Sequence, residues 1–203
     1  MRPGKIVCIG RNYRDHAKEM GNEVPTEPLF FLKPSTSVIG NGDAIVLPPQ
    51  SDQVEFEGEI GVVVGRKLTR ASEAEAVAAI EGIVALNDVT ARDLQRKDSQ
   101  WTRAKGFDTF CPIGAIAAAP SDFSTLTVVT RVNDVERQRA SCADMVFSIP
   151  FLLSYISHVM TLEPGDVLAT GTPAGVGPLS GGDSVVVEVE GISTVSNPVE
   201  AGR

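Results

Sequence analysis

The chain has 203 residues, of which 42% are hydrophobic, and can form one large domain or two small ones with an ample apolar core. This composition excludes a largely disordered chain. The formal net charge is -8 and no run of lysines and arginines occurs. Both features argue against a nucleic-acid-binding protein, because such proteins need a basic patch that neutralises phosphates.

The amino terminus and the cysteines indicate a cytoplasmic protein. Only a short apolar run precedes Arg11, which predicts neither a signal peptide nor a membrane anchor. The most apolar stretch, 145–160, is too short to span a bilayer and predicts a buried helix after Pro150. The three cysteines are far apart and lack metal-site spacing, so we expect buried thiols without disulfides: Cys8, Cys111 and Cys142.

Short strands dominate the first quarter of the chain. The pattern predicts a strand over 5–10 and a brief helix over 15–20, which Gly21 ends as a C-terminal cap. The apolar segments that follow predict short strands and a connector: 29–40, 43–49 and 47–52.

Three glutamates alternate in the segment 52–65, which reads DQVEFEGEIGVVVG. Successive side chains of a strand point to opposite faces, so Glu55, Glu57 and Glu59 are predicted to share one face. The valines that follow predict burial on both faces, which places Glu59 at the border of a core. Glu55 is expected to be the one nearest to solvent. For an isolated E-x-E pattern, a solvated acidic face is the commoner structure.

Two helices are predicted in the next part of the chain. Apolar spacing over 72–84 predicts a helix capped by Ser72, before a strand that ends at Asp88. A second helix follows, with Thr90 and Asp93 as a weakened capping box. Asp88 therefore lies at the end of a strand and just before a helix, where functional residues are common.

The last third of the chain predicts strands joined by tight turns. The segment 126–140 reads as a hairpin with Asn133 and Asp134 near its turn, and glycine-rich turns follow. We therefore predict a single α+β domain that consists mainly of strands, with a distinct N-terminal segment.

Three carboxylates are candidate ligands for a metal ion: Glu57, Glu59 and Asp88. Oxygen donors suit a hard divalent cation such as Mg²⁺ or Mn²⁺. Three carboxylates occupy half of an octahedron, and water or a chelating substrate would complete it, as in Lewis-acid catalysis. Spacing alone does not exclude Glu55 from this set.

His16 and Glu19 are three residues apart on the predicted helix 15–20, so the carboxylate can orient the imidazole as a general base. A pair of surface residues on a helix is the commoner meaning of this weak spacing. The other histidine, His158, is interpreted as structural.

Cations near the carboxylates are needed for an anionic ligand to bind. Arg11, Lys33 and Lys105 are candidates, because turn-forming or apolar residues flank each of them. A lysine there can bind a carboxylate or stabilise an oxyanion, although solvated surface lysines are commoner. The patterns of nucleotide-binding loops and of the hydrolase nucleophile elbow are absent from the sequence.

Several motifs, in this order, resemble the fumarylacetoacetate hydrolase superfamily: IGRNYRDHAKEMG, PLFFLKPSTSVIG, VEFEGEIGVVVG, LNDVTARDLQ, WTRAKGFDTFCPIG, FSIPFLLSYIS and LEPGDVLATGTPAGVGP. The resemblance covers roughly residues 5–190 and is strongest to short acylpyruvases and fumarylpyruvate hydrolases. It implies a strand-dominated mixed β-roll with a few short helices, usually a homodimer. It also implies one catalytic domain, 1–203, in which 1–47 carries a lid helix and 48–203 forms the metal-binding β-roll.

The resemblance implies roles for the candidate residues. Mg²⁺ or Mn²⁺ would be bound by Glu57, Glu59 and Asp88. The catalytic residues would be His16 and Glu19, which would lie on a lid helix, and Lys105. Pocket-lining segments would contribute Arg11, Lys33, Gln95 and Thr172. Phe56 departs from the Tyr, Trp or His expected there, but it points away from the carboxylates.

The leading hypothesis is hydrolysis of a C–C bond in 2,4-diketo acids such as fumarylpyruvate or acetylpyruvate, as in aromatic catabolism. His16, aligned by Glu19, would activate water, and Lys105 would stabilise the oxyanion. The alternatives are decarboxylation of oxaloacetate or a 2-oxo dioate, keto–enol isomerisation through the same metal-stabilised enolate, and a non-catalytic ligand-binding homologue. The expected partner is a small 2-oxo acid, with neither nucleic acid nor membrane involved.

Overall fold

A computed structural model describes residues 3–21 and 23–202. Its strands are β1 (Ile6–Gly10), β2 (Leu29–Lys33), β3 (Val38–Ile39), β4 (Ile45–Leu47), β5 (Val54–Phe56), β6 (Gly58–Val64), β7 (Ile80–Asn87), β8 (Thr90–Ala91), β9 (Cys111–Pro112), β10 (Thr127–Val132), β11 (Val135–Ser141), β12 (Val167–Ala169), β13 (Gly177–Pro178), β14 (Ser184–Val189) and β15 (Ser193–Ala201). The α-helices are α1 (Arg14–Glu19), α2 (Glu73–Ala78), α3 (Arg92–Lys97), α4 (Thr102–Lys105) and α5 (Ile149–Val159). Single 3₁₀ turns cover Ser35–Ser37, Phe123–Thr125 and Cys142–Asp144.

Two five-stranded sheets form the body of the protein. The first, in the order β2-β1-β12-β6-β7, is antiparallel except for the pair β1 and β12. The second, in the order β11-β10-β14-β15-β4, is antiparallel except for the pair β15 and β4. Smaller sheets are β13-β5-β8 and β3-β9. The predicted strand-dominated α+β fold is confirmed.

The main apolar core joins the two large sheets and α5. It contains Ile60 and Val62 from β6, Val128 from β10, Val187 from β14 and Leu153 from α5, all at most 1% exposed. Strand β6 is buried along its whole length, as its unbroken apolar second half predicts. Three of the N-terminal strands belong to these same sheets, because β1 lies between β2 and β12 and β4 pairs with β15, whereas β3 pairs with β9.

Several local predictions are confirmed. Helix α1 ends beside Gly21, which has a φ of +67°. The hairpin turn places Asn133 and Asp134 at φ of 51° and 64°, the left-handed conformations that a tight hairpin favours. Ser72 caps α2 in a capping box with Glu75. The predicted buried helix is α5, and no helix in the described parts of the chain is both long and apolar enough to cross a membrane.

Other local predictions are wrong in their boundaries or partners. The helix predicted over 72–84 ends at Ala78, because Ile80 already pairs with β6 as the start of β7. The capping box predicted for α3 does not form. Thr90 donates its hydroxyl to the Asp88 carbonyl, and Asp93 accepts a hydrogen bond from Ser51.

The glutamate segment is two strands instead of one. It is interrupted at Glu57, where the chain passes from β5 in a small sheet to β6 in the first large sheet. The side chain of Asn87 accepts the Glu57 N–H at 3.0 Å, and the Glu57 carbonyl accepts the Asp88 N–H at 2.8 Å. These bonds satisfy the backbone at the break and fix Glu57 beside Asp88.

At Gly58, between the two glutamates, the second sheet comes very close to strand β6. A Cβ atom there would lie 1.8 Å from Oγ1 of Thr130 in β10 and 3.2 Å from Oε1 of Gln138 in β11. The second sheet can therefore approach the strand this closely at position 58 only because that residue has no side chain.

We predict that Gly58→Ala lowers the free energy of unfolding by about 1–3 kcal/mol, because the added methyl group collides with Thr130. Denaturant unfolding measures the loss. Thr130→Ala in the same chain should restore part of it, because it removes a buried hydroxyl that has no hydrogen-bond partner among the described residues. Strictly additive losses in the double variant would contradict this account.

Candidate metal centre and active site

The three predicted metal ligands lie together. Antiparallel pairing of β6 and β7 sets Gly58 opposite Asn87. Glu57 and Glu59, on either side of Gly58, are therefore close to Asp88, which follows Asn87. One carboxylate oxygen from each residue lies within 4.8 Å of the other two. All three side chains are buried, with at most 5% of each residue exposed.

Buried cations surround these carboxylates. Lys105 Nζ donates to Glu57 and to Asp88, at 2.7 Å each, and Lys33 Nζ lies 2.5 Å from the other oxygen of Asp88. Arg92 bridges Glu57 at 2.5 Å to a further carboxylate, Glu55, at 2.8 Å. When all four buried carboxylates are ionised, the three cations therefore leave one negative charge uncompensated.

The arrangement fits a divalent metal ion. The donors are all carboxylate oxygens, which a hard cation prefers, and they converge closely enough to share one ion. Lys105 already places a positive charge between Glu57 and Asp88. Glu59 has no cation partner in the described structure and accepts only the Gly171 N–H, at 2.8 Å. These residues could therefore hold a metal ion.

The carboxylates differ in their affinity for protons. Burial raises the pKa of Glu59, and the nearby charges of Asp88 and Glu57 raise it further. Burial by itself also raises the pKa of Glu57, but Lys105 and Arg92 lower it by more, so that pKa lies well below its ordinary value. Of these two glutamates, Glu59 is therefore the one that binds a proton more readily when no metal is bound.

His16 and Glu19 form the predicted pair. His16 Nδ1 lies 3.2 Å from Glu19 Oε2, and the His16 side chain is buried in the cavity wall. Glu19 also accepts the Gly175 N–H, at 3.0 Å. Because Nδ1 of His16 is occupied by the contact with Glu19, Nε2 of the same ring remains available to accept a proton as a base.

A cavity of about 270 Å³ joins the histidine to the carboxylates. Seven of its wall residues are predicted from the sequence: Arg11, His16, Glu57, Asp88, Gln95, Lys105 and Thr172. The other wall residues were not predicted: Ile9, Gly10, Met20, Phe31, Arg92, Arg96 and Trp101. Phe31 and Trp101 meet edge to face, with ring centroids 5.4 Å apart, and form an apolar side of the cavity.

The chain matches the model of the fumarylacetoacetate (FAA) hydrolase C-terminal domain over residues 5–200. It belongs to the fumarylacetoacetate hydrolase family. An uncharacterised protein of Archaeoglobus fulgidus is 50% identical over 195 residues, which are 96% of this chain and 78% of the relative. The oxaloacetate tautomerase YisK of Bacillus subtilis is 42% identical over 98% of this chain and 70% of its own. A mitochondrial oxaloacetate tautomerase of Arabidopsis thaliana is 44% identical over 97% of this chain and 91% of its own.

Solved structures of this family share the fold. A 5-carboxymethyl-2-hydroxymuconate delta-isomerase from Mycobacterium smegmatis superimposes with a TM-score of 0.92, at 46% identity, over 100% of this chain and 81% of that one. Fumarylpyruvate hydrolase from Pseudomonas aeruginosa, in complex with Mn²⁺ and pyruvate, gives a TM-score of 0.91 at 30% identity over 98% and 90%. The named relatives are thus tautomerases, isomerases and hydrolases.

Two residues of this family member lie elsewhere than predicted. Lys33 does not line the cavity in the described structure, because β2 buries its ammonium group against Asp88 and the Val89 carbonyl. Glu55 is the most exposed of the three glutamates, as expected, but at 6% it is still buried, beside Arg92. Arg92 itself was missed, although the unbalanced charge of Glu55, Glu57 and Asp88 was a signal that a further buried cation was needed.

We predict that binding of Mn²⁺ releases on the order of one proton from Glu59, because a ligand must be ionised and its pKa is raised. A raised pKa leaves the metal-free carboxyl protonated at pH values where an ordinary glutamate is ionised, so metal affinity falls as the pH is lowered through the raised pKa of Glu59. Calorimetry in buffers of different ionisation enthalpy measures the protons. Equal proton release in Glu59→Gln would contradict the assignment.

We predict that Lys33→Met destabilises the metal-free protein by about 3–5 kcal/mol, because it leaves the buried Asp88 carboxylate without one of its partners. Added Mn²⁺ should raise the melting temperature of this variant more than that of the original protein, because the ion replaces the lost charge. Lys67→Met serves as the control, since Lys67 is exposed in a surface ion pair. An equal effect of Mn²⁺ on all three proteins would refute the prediction.

Proposed function

We propose that this family member is a metal-dependent tautomerase that interconverts the keto and enol forms of oxaloacetate or of a closely related 2-oxo dicarboxylate. The observation that carries the proposal is a buried base, His16, in the same cavity as a carboxylate cluster suited to a divalent ion. The two relatives named oxaloacetate tautomerase, which match nearly the whole chain, support this substrate.

Tautomerisation moves one proton and breaks no bond between heavy atoms. A base removes a proton from C3 of the keto acid, and the oxygen on C2 gains a proton, so the atoms balance. His16 is suited to hold the proton, because Glu19 contacts Nδ1 and orients the ring. Bound Mg²⁺ or Mn²⁺ would supply Lewis-acid stabilisation of the negative charge that develops on oxygen.

The cations of the cavity match a substrate with two carboxylates. Lys105 and Arg92 are buried beside Glu57, and Arg11 and Arg96 lie on the same cavity wall. A dianion can pair with these groups, and Lys105 can also donate a hydrogen bond to an enolate oxygen. The edge-to-face rings of Phe31 and Trp101 exclude water from one side.

Hydrolysis of an acylpyruvate is the second candidate, and it was the leading hypothesis from the sequence. It is supported by the similarity to fumarylpyruvate hydrolase, whose structure contains Mn²⁺ and pyruvate. It requires His16 to activate a water molecule instead of taking a proton from carbon. The higher identities of the named tautomerases favour the first reaction.

We predict that chelator-stripped protein accelerates the ultraviolet absorbance change of enol-oxaloacetate only after Mg²⁺ or Mn²⁺ is added. His16→Asn should lower kcat by about 10²–10⁴-fold, because the proton acceptor is lost. His158→Asn is a matched control, since His158 is the other histidine of the chain and lies exposed on α5.

Two further measurements complete the assay. One uses acetylpyruvate as the substrate, and the other follows oxaloacetate with the metal ion but without protein. Release of pyruvate from acetylpyruvate, without acceleration of oxaloacetate tautomerisation beyond that of the ion, would replace the tautomerase by the hydrolase. Release of CO₂ at the rate of tautomer loss would indicate decarboxylation.

A further inference from the structure

Gln138 is a buried side-chain amide between the two sheets and the cavity. It lies on β11, is 1% exposed, and reaches the point where Gly58 lets the second sheet approach β6. It does not line the cavity in the described structure. A role in the reaction would therefore be exerted through other residues.

Three hydrogen bonds use both ends of this amide. Gln138 Oε1 accepts the Gly58 N–H at 3.0 Å, between the two metal ligands of that strand. Gln138 Nε2 donates to Thr172 Oγ1 and to the Pro173 carbonyl, both at 2.8 Å. Thr172 in turn donates its hydroxyl to the Gly58 carbonyl at 2.9 Å. The amide thus clamps the loop after β12 to the strand that carries Glu57 and Glu59.

The same loop holds the histidine pair. Two residues beyond Pro173, Gly175 donates its N–H to Glu19, which contacts His16. Gly175 has a φ of +99° and packs against the carbonyl of Arg137, where a Cβ atom would lie only 2.1 Å away. The loop is therefore held on one side by β11 and on the other by α1.

The segment just before helix α1 has a second attachment, at the start of this loop and at Phe147. Asn12, which is fully buried, donates to the Thr170 and Phe147 carbonyls and accepts the Phe147 N–H. Loss of the Gln138 contacts would consequently release the Glu19 end of α1 while its first turn stays attached. The expected effect is local misalignment and not detachment of the helix.

We propose that Gln138 is a positioning residue that sets the distance between the metal centre and the His16–Glu19 pair. Its acceptor end fixes the ligand strand, and its donor end fixes the loop that holds Glu19. Proton transfer requires the base within hydrogen-bond reach of a substrate bound at the carboxylates, so a small shift of α1 is costly. The catalytic part of this proposal rests on the proposed tautomerase function.

The test compares Gln138→Met with Gln138→Glu. Methionine has a similar shape and makes none of the three bonds, whereas an ionised glutamate can still accept the Gly58 N–H but cannot donate to Thr172 or Pro173. Matched controls are Asn197→Leu and Asn197→Asp. Asn197 is also 1% exposed, lies on β15 of the same sheet, and donates to the Gly40 and Asp43 carbonyls.

Each variant is assayed, with Mn²⁺ present and below its melting temperature, for tautomerisation and for amide exchange at Gly175. Both Gln138 variants should lose about 10–100-fold in kcat, with KM within about threefold. Exchange at Gly175 should be about tenfold faster or more. The Asn197 variants should have lower melting temperatures, but their kcat and their rate of exchange at Gly175 should equal those of the original protein. If Gln138→Met does not fold, the comparison of Gln138→Glu with the original protein decides whether Gln138 positions the histidine pair.

Unchanged kcat and unchanged Gly175 exchange in folded Gln138 variants would overturn the proposal, as would equal losses in the Asn197 variants. If the original protein does not tautomerise oxaloacetate, the proposed function fails by itself. Gly175 exchange then decides the positioning role, because that measurement needs no substrate.

Discussion

The structure depends on the burial of four carboxylates in one small volume. Such charges are tolerated only when cations and hydrogen bonds compensate them. Here Lys33, Lys105 and Arg92 supply the cations, and each is fixed by a different element: β2, α4 and α3. When all four carboxylates are ionised, one negative charge remains, and a divalent ion can compensate it. Charge balance therefore links the packing of several elements to the chemistry of the site.

The interruption at Glu57 makes this concentration of charge possible. A continuous strand would keep its alternate carboxylates in one sheet, whereas here the chain leaves a small sheet at Phe56 and enters the large one at Gly58. Glu57 is thus directed at Asp88 and Lys105 while Glu59 continues into the core. The Glu57 backbone groups at the break are satisfied by Asn87 and Asp88, whereas the side-chain amide nitrogen of Asn87 is buried there without a hydrogen-bond partner among the described residues.

The second sheet supports the site without entering the cavity. Its hairpin, β10 and β11, contacts the ligand strand at Gly58 and the loop that holds Glu19 through Gln138. His16 and the carboxylates are therefore linked through Gln138 and this loop, although they come from different elements of the fold. Rigid support of this kind keeps reacting groups aligned, which is the contribution a protein makes to proton transfer.

Local patterns in the sequence determined much of this protein. The alternation of Glu57 and Glu59, the position of Asp88 at a strand end and the spacing of His16 and Glu19 all follow from the periodicity of strands and helices. Strand alternation and turn residues likewise indicated the α+β class. Only the tertiary structure decided that Lys33 lies behind Asp88, that Arg92 neutralises Glu55, and that Gly175, 156 residues from Glu19, holds its carboxylate. Backbone geometry repeats locally and can be read from neighbouring residues, whereas these partners are set by how distant elements pack.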